Sequence, residues 1–119
     1  MKQVEHEEQV NLIKWWSLVH KQFGISEHLL FAIPNGGQRN IIVASKLKAE
    51  GVRPGVPDLF LAVPKKDYHG LFIEMKKPKG GRVSDSQKEM IDDLNQLNYL
   101  SVVCKGWNEA KAAIEQYLK

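Results

Sequence analysis

GVPDLFLAVPKKDYHGLFIEMKKPKG, residues 55–80, decides how this chain folds. Two short apolar runs, Asp58–Val63 and Gly70–Lys76, flank a polar segment, Pro64–His69. This pattern predicts two strands joined as an antiparallel hairpin. Side chains alternate along a strand, so Leu71, Ile73 and Met75 face a core while Glu74 and Lys76 share the other side. A connection of this length sets Asp58 opposite Glu74 or Lys76. Two acids and a lysine can therefore meet at one end of the hairpin.

Outward from the hairpin the elements alternate. Gln3 to Phe23 reads as a helix with an apolar stripe of Leu12, Trp16, Val19 and Phe23, stopped near Gly24. Leu29–Ile33 reads as a short strand, and Pro34-Asn35-Gly36-Gly37 as a loop. Gln38–Glu50 is a second helix closed by Gly51, and GVRPGVP is a loop whose prolines cannot sit inside a sheet. After the hairpin come a basic glycine-containing loop (Lys77–Val83), a helix (Ser84–Leu97), a strand (Tyr99–Cys104) and a closing helix (Trp107–Leu118). The order α-β-α-β-β-α-β-α implies an α/β fold, with a mixed central sheet flanked by helices.

The 119 residues suffice for one domain, 1–119. With 43% hydrophobic and 26% charged residues, the composition is that of an ordinary globular protein. A net charge of +3 permits a nucleic-acid partner without demanding one. The single cysteine, Cys104, lies in an apolar run and reads as a buried reduced thiol. His6, His20, His28 and His69 show no metal-ligand spacing with it. No stretch is long or apolar enough to cross a membrane, and MKQVEHEEQ has no apolar signal segment, so an intracellular protein is expected.

Asp58, Glu74 and Lys76 admit two readings. They can form a salt-bridge ladder on an exposed sheet face. Alternatively, the carboxylates hold a divalent cation such as Mg2+, which favours oxygen ligands, and Lys76 orients a water or stabilises phosphoryl charge. The neighbours favour the second. The glycine- and proline-rich loop before Asp58 allows close backbone approach. The segment Lys77-Pro78-Lys79-Gly80-Gly81-Arg82 suits phosphates. Ser84-Asp85-Ser86-Gln87 fits a helix capping box, yet Gln87 also lies in reach of the carboxylates. On the first helix, Glu5 and Gln9 share the face of Leu12 and Trp16, Glu8 sits at its edge, and Glu7 points away. The helix dipole alone also favours acids there.

In order, Gly51-Val-Arg-Pro-Gly-Val-Pro-Asp58, Ile73-Glu-Met-Lys76 and Ser84-x-x-Gln87 resemble the VRR-NUC family of the PD-(D/E)xK nuclease superfamily. Pro57-Asp58 matches the PD, and Glu74-Met75-Lys76 the ExK. Val52-Arg53 matches the name-giving Val-Arg-Arg in part, with Pro54 at the second arginine. Pro34-Asn35-Gly36-Gly37 and the Glu5/Glu8-Gln9 helix start also look like family features. The resemblance implies a restriction-endonuclease-like αβββαβ core and an Mg2+- or Mn2+-dependent endonuclease acting on structured DNA. It implies Asp58, Glu74 and the Met75 carbonyl as metal ligands, completed by Glu5 or Glu8, with Lys76 orienting water and Gln87 supporting the site. Lys77, Lys79, Arg82 and Arg53 are the expected DNA contacts. Free-standing members of this size resemble homodimers that resolve four-way (Holliday) junctions. Trp15, beside Trp16 at the stripe's edge, is a candidate interface anchor or packs beneath its own loops. A non-cleaving DNA-binding module and an RNA nuclease are the alternatives on the same scaffold.

Overall fold

In the computed structural model, which describes residues 3–34 and 41–119, four strands form a sheet ordered β1-β2-β3-β4. They are β1 (Leu30–Ala32), β2 (Leu59–Leu61), β3 (Leu71–Lys76) and β4 (Leu100–Lys105). Helices α1 (Gln3–Val19), α2 (Ile41–Ala49), α3 (Asp85–Gln96) and α4 (Trp107–Tyr117) complete the order expected from the sequence. The expected Asn35-Gly36-Gly37 turn and Gln38 helix start lie outside the described residues.

The first helix tightens into a 3-10 turn at His20–Phe23 and ends at Gly24, whose left-handed backbone (φ 72°) donates to the carbonyls of His20 and Lys21. β1 and β2, and β2 and β3, pair antiparallel, while β3 and β4 run parallel. A parallel partner needs a crossover, which α3 provides. The first two strands are shorter than their apolar runs. Single bonds extend the ladder past each end, from Ile33 N–H to the Asp58 carbonyl (2.8 Å) and from Ala62 N–H to the Leu29 carbonyl (2.9 Å).

One sheet face supplies Leu59, Leu61, Leu71, Ile73, Met75 and Cys104 to the core, against Leu12 and Trp16 of α1 and Ala110, Ile114 and Tyr117 of α4. Burying a side chain of this kind contributes about 1.5–3 kcal/mol. The polar atoms of the large aromatics are satisfied, Trp16 Nε1 by the Glu27 carbonyl (2.9 Å) and Tyr117 Oη by the Val63 carbonyl (2.7 Å). Trp15 is half-buried at the core margin against Trp16 and Phe23, with the Lys111 ammonium 5.9 Å above its ring. The ring therefore packs in part against its own helix and the turn that follows it, and its remaining surface faces outward. Among the described residues no helix is long and apolar enough to cross a membrane.

Candidate active site

Carrying the β2–β3 register (Leu59 opposite Ile73) one step further sets Asp58 opposite Glu74, one of the two partners the hairpin reading allowed. Two bonds from the sheet hold Asp58 there. Its carbonyl accepts the Ile33 N–H, and its Oδ2 accepts the Met75 N–H at 2.7 Å. On the outward face of β3, Glu74 and Lys76 are both buried, at 3% and 8% exposure. A solvated salt-bridge ladder is excluded by that burial. Lys76 Nζ stands 3.6 Å from Glu74 Oε2.

Gln87 satisfies both of its readings at once. Its Oε1 accepts the Ser84 N–H (2.9 Å), its backbone N–H donates to Ser84 Oγ (3.2 Å), and the capping box is complete. Its Nε2 donates to Glu74 Oε2 at 3.0 Å. The cap and the site contact use opposite ends of one side-chain amide. The loop before Asp58 is pressed onto the same helix turn. Gly55 has φ +86°, and any Cβ there would run into the Ser86 carbonyl, so only glycine fits.

The two carboxyls are not at ease as anions. Burial pushes Glu74 up to about 8, and the adjacent Asp58 charge adds to the effect. Asp58 is also raised, chiefly by burial, although the Met75 N–H, Glu74 and Lys76 counteract it. Without a cation, Glu74 therefore holds a proton near neutral pH. Its Oε2 has two partners, whereas Oε1 is buried with none. An orphaned buried carboxylate oxygen beside a second destabilised carboxyl suits a hard divalent cation. Among the described residues no three His, Cys, Asp or Glu side chains gather at ligand distance, so Asp58 and Glu74 are a two-carboxylate platform. The rest of a cation's shell would fall to backbone and water, which Mg2+ tolerates well.

The two glutamates of α1 part company. Glu5 lies near enough to Asp58 for its charge to raise that group. Glu8 is engaged elsewhere, its Oε1 accepting the Trp107 N–H at 2.8 Å. α4 begins after Gly106, which has no side chain with which to cap it, and Glu8 supplies the missing acceptor from 99 residues away. Gly106 N–H also bonds the Lys76 carbonyl (2.9 Å), so this junction holds the end of β3. That structural use was not visible in helical spacing. Gln9, one turn beyond Glu5, keeps a buried Oε1 without a partner. Of the expected DNA contacts, Arg53, Lys79 and Arg82 are exposed and Lys77 is half-buried. The carboxylate pair is bonded by Met75, Gln87 and Lys76 instead.

The family model for the VRR-NUC domain matches residues 2–108. A solved structure titled "VRR_NUC domain protein" is 30% identical, with a TM-score of 0.82, covering 98% of this chain and 89% of its own. No curated protein matches.

Proposed function

Because the chain belongs to the VRR-NUC family of nuclease-type domains, we propose that it is an Mg2+- or Mn2+-dependent DNA endonuclease that prefers branched substrates such as four-way junctions. The observation that carries this reading is the buried Glu74 and Lys76 beside half-buried Asp58, with an unpartnered Glu74 Oε1. Asp58, Glu74 and the Met75 carbonyl would hold the ion; Glu5 does not gather with the pair but its charge is felt at Asp58, so it would act on the ion electrostatically. When bound, the ion supplies charge stabilisation to the phosphoryl group and leaving oxygen.

The chain's own residues do the rest. The Met75 N–H aims the Asp58 carboxylate. Gln87 orients Glu74 by donating to Oε2, leaving Oε1 free. Lys76, as a donor beside Glu74, positions the attacking water for in-line displacement. Lys77, Lys79, Arg82 and Arg53 bind backbone phosphates without reading bases.

Paired nicks across a four-way junction need two sites in symmetric relation, which a twofold homodimer supplies. A cleavage panel of duplex, flap, four-way junction and RNA, with and without Mg2+, tests the reading, and light scattering tests the dimer. Metal-dependent cutting of the junction ahead of the duplex is expected. Binding without cutting would leave a DNA-binding module, and preference for RNA an RNA nuclease.

A further inference from the structure

β3 and β4 align Lys76 directly with Lys105, and the bond from Gly106 N–H to the Lys76 carbonyl fixes that register at its end. Aligned residues of a parallel pair project from the same sheet face, with strands about 4.8 Å apart. Cys104 turns into the core, so Lys105 shares the face of Glu74 and Lys76. The two lysines differ in circumstance. Lys76 is buried and faces Glu74, whereas Lys105 is exposed, with no carboxylate within ion-pair distance among the described residues. The nearest acid in sequence, Glu109, is occupied by the Lys105 backbone N–H (2.8 Å). Like charges directly opposite each other on neighbouring strands destabilise a sheet. Anionic phosphates of one backbone, one at each lysine, remove that cost.

We propose that Lys105 is a second phosphate-binding residue of this site, contacting the phosphodiester next to the scissile one. The inference rests on the nuclease reading. Lys76 works at the reacting phosphate, where it positions the attacking water. Lys105 stands one strand over, free and solvent-facing, where the adjoining backbone phosphate would pass. The contact is sequence-independent, like those of the basic loop, but comes from the rigid sheet. Its competitor is a protective role, since β4 is an edge strand and an exposed lysine discourages edge-to-edge pairing.

Anisotropy with a labelled four-way junction decides between them, in a Glu74→Gln background that keeps the DNA uncut. Lys105→Met should weaken binding by about three- to tenfold at low salt and make the logarithmic salt dependence shallower by about one unit. Lys21→Met removes the same charge beyond the far end of α1, roughly 25 Å away along a helix of this length, and should change little. Replacing one phosphate beside the scissile position by a neutral methylphosphonate should weaken the parent and leave Lys105→Met unaffected. Unchanged affinity and slope for Lys105→Met, an equal loss in Lys21→Met, or additive losses in the methylphosphonate cycle overturn the assignment. If wild type still cuts DNA in that event, only the Lys105 role falls. If wild type neither binds nor cuts DNA, the nuclease reading falls and Lys105 with it.

Discussion

Glu74 should make the metal-free protein less stable as pH rises. Its folded pKa stands at about 8 against an ordinary 4.5, because the carboxyl is buried beside Asp58. A group raised on folding contributes its full stability below the unfolded value. That contribution is then lost as pH climbs through the folded one. The window is thus about pH 4.5 to 8. At 1.36 kcal/mol per pH unit, the displacement sets a ceiling of roughly 5 kcal/mol. Water entering the cleft once Glu74 ionises should reduce this to on the order of 2–3 kcal/mol. For a chain this size that is a fall in Tm of about 10 °C between pH 5 and 8. Thermal melts in EDTA across that range measure it. Glu74→Gln, a neutral isostere of the protonated group, should flatten most of the trend. Mg2+ should restore wild-type Tm more at pH 8 than at pH 6, since it binds the ionised pair and stabilises by mass action. A wild-type Tm that holds level or rises from pH 5 to 8, or that falls equally in Glu74→Gln, would refute the reasoning.

Gln87→Ala removes a helix cap and a site contact together, so it should lower stability by about 1–2 kcal/mol and also slow cleavage at least tenfold; a melting shift with no rate loss would reduce Gln87 to a cap. Glu8→Ala should cost about 1 kcal/mol by uncapping α4, with the calorimetric Mg2+ signal retained, whereas Glu5→Gln should weaken that signal at unchanged Tm. Neutralising Lys77, Lys79 and Arg82 together should flatten the salt dependence of DNA binding by roughly one unit for each phosphate left unneutralised, equally for all base sequences, as binding isotherms at several salt concentrations can read.

Asp58, Glu74 and Lys76 were legible in the sequence because everything that unites them is local. Strand alternation puts Glu74 and Lys76 on one side, and a short hairpin connection brings Asp58 opposite Glu74, all within 19 positions. The Ser84–Gln87 box and the Gly24 stop are likewise written in neighbouring residues. The roles of Gln87, Glu8 and Lys105 needed distance in three dimensions. Gln87 could be a cap or a site residue, and only the close seating of α3 against the Gly55 loop lets one amide be both. Glu5 and Glu8 lie on adjoining faces of one helix, and what separates them is a helix start 99 residues further on. The pairing of Lys76 with Lys105 depends on a parallel register set by the α3 crossover. Burial was decided at the same level. Charge and spacing allowed a solvated ladder, but packing buries Glu74 and leaves its Oε1 without a partner. Local pattern determines which residues share a strand face or a helix turn, because those follow from fixed backbone periods. Which faces then meet, and which charges lose their water, depends on chain closure over long separations, and only the packed structure specifies that.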